Sequence, residues 1–369
     1  MTQTIKMERR VWFSLWANHT RKEMKNIKKL CLIAALGVIA TGGSLLPNSA
    51  VYAATTINVS ANGTSLESAI AKAKSGDIIN ITGAVTSGTV KVPSGVTITG
   101  KSGAGKVNFS KTGTTGKGFI VNGTGSTITD LEVYNAGDNG IYMEGSKNNL
   151  TNLNVHNNND AGVQLSNGAA NNTLTLVYSH NNCDQYKADQ SKLGENADGF
   201  AIKLHSGEGN KLIQCTSEGN SDDGYDLYAA HGAVYFDHCK AINNGSFKTA
   251  SGKIIKGDGN GFKLGGVDNK TPGAKAHLDP LNHQLIGCTA SGNLGAGFDR
   301  NNQNGVVTMK GCTAINNALG NYSWPLTGTP SALGYKVTFG KAIIDNCTSS
   351  GGGKNNLSGA TVTNSPTVK

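Results

Sequence analysis

The hexapeptide CTSEGN at residues 215–220 returns as CKAINN at residues 239–244, 24 residues further along the chain. Related segments occur on both sides of this pair. Eight copies can be aligned, and they begin at Leu131, Leu153, Val177, Cys215, Cys239, Cys288, Cys312 and Cys347. Their starts are 22, 24, 38, 24, 49, 24 and 35 residues apart, so the minimal period is 22 to 24 residues, with insertions in some repeats.

A period of this length holds three short strands and their corners, at about 3.3 Å per strand residue. One such unit cannot bury its apolar face alone, whereas stacked units bury a continuous core. We therefore predict an all-β fold, a single right-handed parallel β-helix from about Ile57 to Cys347. Near its start, Thr64-x-x-Glu67 resembles a capping box and predicts a short helix over 66–74 that covers one end of the stack.

Two positions of the repeat predict columns inside the stack. The first position is Leu, Val or Cys in every copy, so it must point inward, where a thiol behaves as a small hydrophobic group. For Cys215, Cys239, Cys288, Cys312 and Cys347 we favour buried free thiols over cystines. The sixth position is Asn in six of eight copies, which predicts a ladder of side-chain hydrogen bonds up the stack.

The N-terminal residues 1–53 have the pattern of a secretory signal. A basic region precedes the apolar run 30–40, small residues follow up to Ala53, and Met24 is a possible true start. This division leaves 54–369 as the β-helix domain, which we expect to be secreted and monomeric, without stable membrane association after cleavage. The formal charge of +9 falls to near +3 without the signal, which gives no indication of nucleic-acid binding.

Three glycine-aromatic pairs define the register of the candidate site: Gly199-Phe200, Gly224-Tyr225 and Gly261-Phe262. The aromatic residue is expected to point inward and to stack. Because side chains alternate along a strand, the next residue points outward, which places Asp226 and Lys263 on the outer face one coil apart. The insertions at 183–195, 246–258 and 265–282 flank this patch and are expected to build walls around it.

Four carboxylates fall on this patch, from Asp198, Asp222, Asp223 and Asp226. So many like charges are either solvated and scattered, or the acid and base of a glycosidase, or ligands of a hard cation. No His or Cys is closely spaced with them, which disfavours zinc, and an all-oxygen set in a secreted protein points to Ca²⁺.

A lysine beside this patch has two interpretations. Lys263 could form an ordinary salt bridge with Asp226. Alternatively, a nearby cation lowers its pKa and frees the amine to act as a base. A uronic acid offers an acidic proton at C5, and its removal with loss of the C4 oxygen is a β-elimination.

NADGF, DDGYDLY and GNGFKLGG together resemble the motifs of the family 9 polysaccharide lyases, β-helical pectate lyases with a lysine base. The resemblance covers most of the mature chain. It implies Asp198, Asp222, Asp223 and Asp226 as calcium ligands, Lys263 as catalytic base and polygalacturonate as substrate. Tyr225 stands where we expect a tryptophan in that family.

Two other functions remain open at this point. A polygalacturonase-type hydrolase would also place carboxylates on a β-helix, but its Arg-Ile-Lys segment is absent from the chain. A β-helical glycan-binding or adhesin module would not need a lysine beside four aspartates. As candidate contacts to substrate carboxylates we name Arg300, whose guanidinium suits bidentate binding, and Lys203.

Overall fold

The protein is described here from a computed structural model, which covers residues 53–100, 104–186 and 189–369. The predicted signal segment lies outside the described residues, apart from Ala53. Within the described residues, no helix has the length and apolar character needed to cross a membrane.

Short strands make up most of the regular structure. In chain order they are β1 (Thr56–Val59), β2 (Ile78–Ile81), β3 (Ala84–Thr86), β4 (Val90–Lys91), β5 (Thr97–Thr99), β6 (Gly105–Asn108), β7 (Phe119–Val121), β8 (Thr127–Tyr134), β9 (Ile141–Met143), β10 (Asn149–His156), β11 (Val163–Leu165), β12 (Thr173–His180), β13 (Phe200–Ile202), β14 (Lys211–Ile213), β15 (Thr216–Glu218), β16 (Tyr225–Asp226), β17 (Tyr235–Asp237), β18 (Lys240–Ile242), β19 (Ser246–Lys248), β20 (Ile254–Lys256), β21 (Phe262–Lys263), β22 (Gln284–Ile286), β23 (Thr289–Ser291), β24 (Phe298–Asp299), β25 (Thr308–Lys310), β26 (Thr313–Ile315), β27 (Tyr322–Ser323), β28 (Thr327–Gly328), β29 (Val337–Thr338), β30 (Ala342–Asp345), β31 (Thr348–Ser350) and β32 (Ala360–Thr363).

The strands stack in parallel, coil upon coil. One sheet runs in sequence order through β4, β7, β9, β11, β13, β16, β21, β24 and β27. The repeat hexapeptides lie on other walls of the same coils, where β15 pairs with β18 and β18 with β23. The antiparallel hairpins β19–β20 and β28–β29 stand apart from this stack. The predicted all-β parallel β-helix is confirmed.

The corner after each repeat strand explains the recurring Asn-Asn and Gly-Asn pairs. The first residue of each pair has a positive φ, for example 54° at Asn181, 62° at Gly219 and 52° at Asn243. Gly and Asn tolerate this left-handed conformation better than other residues do. The next residue is the buried ladder asparagine, so the corner directs its amide into the stack.

The predicted asparagine ladder is confirmed. Asn182 donates from Nδ2 to Asn220 Oδ1 (2.8 Å), Asn220 to Asn244 (2.9 Å) and Asn244 to Asn293 (3.0 Å). Each Oδ1 also accepts the backbone N–H of the ladder residue one coil earlier, as Asn244 Oδ1 does from Asn220 at 3.2 Å. Buried amides that are satisfied in this way fix the register between coils.

The interior agrees with the other predicted columns. The rings of Phe200, Tyr225, Phe262 and Phe298 stack at centroid distances of 4.5 to 5.0 Å, and Tyr322 extends the stack. The repeat cysteines are buried, and they are free thiols. Both columns belong to one continuous apolar core.

One helix, α1 (Leu66–Lys72), lies at the N-terminal end and contacts β1, β2 and β4. It buries Leu66 and Ala69 against the end of the stack, as expected of a cap. The predicted capping box is wrong in detail. Ser65 is the N-cap and accepts the N–H of Ser68, while the carboxylate of Glu67 accepts the Ser87 hydroxyl at 2.8 Å.

Candidate active site

Three neighbouring strands position the candidate site. β13, β16 and β21 are adjacent in the nine-stranded sheet of the described chain, and their register places Ala201 beside Asp226 and Asp226 beside Lys263. The inward aromatic residue that precedes each of these positions anchors the strand in the core. The prediction that Asp226 and Lys263 lie one coil apart is therefore confirmed.

Three of the four predicted ligand residues converge. Oxygens of Asp198, Asp222 and Asp223 lie within 4.8 Å of one another, and all three residues are buried. The predicted position on the outer face of the coils does not leave these carboxylates exposed. They lie outside the apolar core, but other segments of the chain cover them.

The cover comes from two of the predicted insertions, 183–195 and 246–258. The N–H of Gly257 donates to Ser221 O at 2.7 Å, and the N–H of Asp258 donates to Asp222 Oδ1 at 2.8 Å. A Cβ on Gly257 would lie 2.2 Å from Gly194 O and 2.5 Å from Asp222 Oδ1. The chain therefore needs glycine where the two insertions meet over the carboxylates.

Lys263 lies between a buried and an exposed carboxylate. Its Nζ is 3.0 Å from Asp223 Oδ2 and 2.9 Å from Asp258 Oδ2, and 15% of its side chain is exposed. Asp223 Oδ1 accepts the backbone N–H of Asn260 at 2.6 Å and its Nδ2 at 3.0 Å. Asp223 Oδ2 has no aligned hydrogen-bond donor despite its short distance to the ammonium, so it keeps a free acceptor direction.

Lys203 lies inside the site, not at its rim. Its Nζ donates to Asp198 Oδ2 at 2.7 Å and to Asp226 Oδ2 at 2.9 Å. Asp226 thus joins the site through Lys203 and stays outside the set of three converging carboxylates. Because Lys203 is buried and already paired, the predicted contact to a substrate carboxylate is not supported.

Arg300 is in the interior of the stack, and its predicted contact with substrate is wrong. The residue is fully buried, and its guanidinium donates to the carbonyl oxygens of Gln303, Gly340 and Gly359 at 2.7 to 2.8 Å. It also lies over the ring of Trp324. Arg300 follows the outward Asp299, so strand alternation turns it inward.

The converging carboxylates resist ionisation. Burial raises the pKa of Asp198 and Asp222 well above the usual value, and neighbouring carboxylates add to the effect. Burial also raises the pKa of Asp223 to about 6, although Lys263 opposes this shift. A buried cluster of carboxylates is stabilised when it binds either protons or a metal cation, because both reduce its negative charge.

Asp226 and Lys263, in contrast, are held in their ionised forms. Burial opposes ionisation of Asp226, but Lys203 and Lys263 outweigh it and keep the pKa of Asp226 below its usual value. Burial likewise opposes the charge on Lys263, but the carboxylates, Asp223 foremost, hold the pKa of Lys263 well above its usual range. As described, Lys263 is an ammonium ion and carries its proton.

Sequence reasoning missed two contacts in this site. Asp258, the exposed partner of Lys263, lies in a loop whose path no repeat predicts. The pairing of Lys203 with Asp226 could have been predicted from the sequence. Strand alternation places Lys203 outward two residues after Ala201, next to the column of Asp226.

Comparison with known proteins agrees with this fold. Residues 47–356 match the family model described as the Pel9A-like, right handed beta helix region. The crystal structure of pectate lyase Pel9A superposes with a TM-score of 0.69 and 26% identity, covering 86% of this chain and 80% of that chain. A rhamnogalacturonan lyase superposes with a TM-score of 0.68 at 22% identity, covering 81% of each chain, which supports the fold alone.

Curated relatives share parts of the sequence. Pectate lyase L of Paenibacillus polymyxa is 33% identical over 221 residues, 58% of this chain and 46% of that protein. Pectate lyase L of Dickeya dadantii is 38% identical over 144 residues, 39% of this chain and 31% of that protein. The chain therefore spans less than half the length of these two relatives.

Proposed function

The chain belongs to the Pel9A-like right-handed β-helix family, and on that premise we propose that it is a pectate lyase that cleaves de-esterified polygalacturonate by calcium-assisted β-elimination. The observation that carries this proposal is the convergence of three buried carboxylates beside Lys263. The curated relatives named pectate lyase support the reaction class.

The residues present fit a calcium ion. When all four are ionised, Asp198, Asp222, Asp223 and Asp226 carry four negative charges and the ammonium groups of Lys203 and Lys263 offset two, so one divalent cation would balance the buried site in place of protons. Asp223 Oδ2 is paired with Lys263 but accepts no aligned hydrogen bond, so it offers a ligand atom, and the donor set is all oxygen, as Ca²⁺ prefers. Asp198, Asp222 and Asp223 would hold the ion, with Asp226 next to them.

When bound, Ca²⁺ supplies positive charge to the carboxylates of the site and of a uronate residue, which acidifies the proton at C5. Lys263 is the base in this proposal, and its Nζ accepts the C5 proton. The C5–H electrons form the C4–C5 double bond, and the C4–O bond breaks. The departing oxygen keeps the electron pair of the C4–O bond and takes a proton from water, which gives one product with a free hydroxyl and one with the C4–C5 double bond.

The ion pairs of Lys263 set the condition for this step. A base must be neutral, yet the surrounding carboxylates hold the pKa of Lys263 high. Charge compensation of Asp223 removes the largest of these electrostatic effects. The proposal therefore couples basicity at Lys263 to the charge state of the carboxylate cluster.

The test is ultraviolet absorbance of the product on polygalacturonate, with and without a chelator. Chelator-sensitive formation of the conjugated double bond supports the proposal. New reducing ends without ultraviolet absorbance would instead indicate a hydrolase, and binding without cleavage would indicate a glycan-binding module.

Secretion is part of the same proposal, and it rests on the basic and apolar segments within residues 1–53. An extracellular location suits a polymeric substrate. N-terminal sequencing of protein recovered from culture medium tests it, because a mature chain that begins near Ala54 is expected. A monomeric mature chain is also expected, and light scattering measures it.

A further inference from the structure

A second cluster of ligand-type side chains lies beside the insertion 265–282. Donor atoms of His231, Asp268, His277 and Asp279 all lie within 4.8 Å of one another. We propose that these four residues form a binding site for a divalent transition-metal ion of the zinc class, separate from the carboxylate site. The calcium proposal makes no use of them.

The distances between the two imidazoles and the two carboxylates are close to those of a tetrahedral site. His231 Nε2 lies 3.0 Å from Asp268 Oδ2 and 3.7 Å from Asp279 Oδ2. His277 Nε2 lies 3.8 Å and 3.6 Å from the same two oxygens. Bonds of about 2.0–2.1 Å to Zn²⁺ would place tetrahedral donors about 3.3 Å apart. These four imidazole–carboxylate distances therefore need to change by a few tenths of an ångström, and the other two donor pairs start from within 4.8 Å.

Two of the four donor groups, His277 and Asp268, are also held in position by hydrogen bonds on their other side. His277 Nδ1 is 3.0 Å from the carbonyl oxygen of Lys275, and donation to this acceptor leaves the lone pair on Nε2. Asp268 Oδ1 accepts the backbone N–H groups of Lys270 and Thr271, at 2.7 and 3.1 Å, which orients its carboxylate. Such supporting contacts are typical of metal ligands.

One atom of the cluster lacks a partner of its own. Asp279 Oδ2 is shielded from solvent and has no hydrogen-bond donor, although two imidazoles lie within 3.7 Å. The mixed set of two imidazoles and two carboxylates suits Zn²⁺ better than Ca²⁺, which prefers oxygen alone. Side-chain exposures of 38% at His231 and 40% at His277 leave an entry path for the ion.

A metal here would tie the insertion to the β-helix. Asp268, His277 and Asp279 belong to the insertion, whereas His231 follows β16, the strand that carries Asp226. Between the insertion ligands, Lys270 and Lys275 are exposed and offer sites for trypsin. Zinc is therefore expected to protect the insertion from cleavage at these lysines.

The probe is Zn²⁺ itself, added to the full mature chain after chelation and gel filtration. We expect one equivalent per chain, measured by competition with a zinc indicator. The double variant His231→Ala/His277→Ala is expected to lose at least about 10²-fold in affinity, because it removes half of the ligands. His238→Ala is the matched control, since that exposed imidazole contacts Asp237 outside the cluster.

Three further measurements keep the outcome clear. Circular dichroism must show the double variant folded, and Asp279→Asn serves as a conservative second variant with the same expected direction. Anomalous diffraction at the zinc edge is expected to give a peak among the four donor atoms. Trypsin protection by zinc is expected in the wild type and in His238→Ala only.

Equal zinc affinity in the wild type and the folded double variant would overturn the site, as would an anomalous peak at the carboxylate cluster alone. In that case the cluster is a set of ion pairs only. Loss of lyase activity does not enter this test, so the zinc site and the proposed function stand or fall separately.

Discussion

Lys263→Arg is the substitution that most directly tests the proposed base. Arginine keeps the positive charge that Asp223 and Asp258 contact at 3.0 and 2.9 Å. Its guanidinium stays protonated and cannot readily supply a neutral base. We expect turnover to fall by about 10² to 10⁴-fold, as for a lost general base, while calcium binding is largely retained.

Asp258→Asn provides the matched perturbation of the same amine. Asp258 is 64% exposed, so solvent screens its pair with Lys263, and such pairs contribute about 0.2–1 kcal/mol. Since one pH unit corresponds to about 1.4 kcal/mol, the alkaline rise in turnover is expected to move by roughly 0.1–0.7 pH units. The sign is towards lower pH, because removing an anion makes the protonated amine less stable.

The assay is turnover on polygalacturonate at saturating calcium, measured from neutral to alkaline pH for the wild type and both variants. Calcium titration by calorimetry controls for an intact metal site. Near-normal turnover of Lys263→Arg would refute the role of Lys263 as base. A rise shifted to higher pH in Asp258→Asn would contradict the electrostatic part of the reasoning.

Three further outcomes are expected. Asp222→Asn weakens calcium binding by about 10- to 100-fold with the fold intact, because it removes a charged ligand, and calorimetry and circular dichroism measure the two effects. Burial raises the pKa of Asp223 to about 6, so between the usual aspartate pKa and about 6 the calcium-free folded protein binds a proton that the unfolded chain does not. The free energy of unfolding of the calcium-free protein is therefore expected to decline as pH rises through this window. Thermal melts are expected to show that the stabilisation by calcium grows over the same window. Asn244→Ala lowers the free energy of unfolding by about 3–5 kcal/mol, because Asn220 and Asn293 lose buried hydrogen-bond partners. The control Asn243→Gly, at a position with φ 52°, changes it by no more than about 1 kcal/mol, and denaturant unfolding measures both variants.

Periodicity was sufficient to predict the stack and its registers. The spacing of the Gly-aromatic pairs placed Asp226 next to Lys263, because neighbouring coils repeat the same local geometry. The burial of Asp222 could not be predicted from periodicity. It depends on where the two nonrepeating insertions meet, at Gly194 and Gly257, and no period describes their path.

The error at Arg300 has a different cause. The prediction followed the chemistry of the guanidinium, whereas alternation after Asp299 already indicated an inward side chain. The structure satisfies this buried cation with carbonyl oxygens and aromatic rings instead of a substrate carboxylate. The direction of the Arg300 side chain therefore followed from its strand register and not from the chemistry of its guanidinium.

The distribution of the site over three consecutive coils has a consequence for refolding. Asp198, Asp223 and Lys263 come from neighbouring coils, and no single coil contains the cluster. A refolding chain that has not stacked the coil of Asp198 on the coil of Asp222 and Asp223, or has stacked them out of step, lacks the proposed calcium site. Calcium uptake in a stopped-flow experiment would therefore lag behind the growth of β-structure, and it would time the pairing of these two coils.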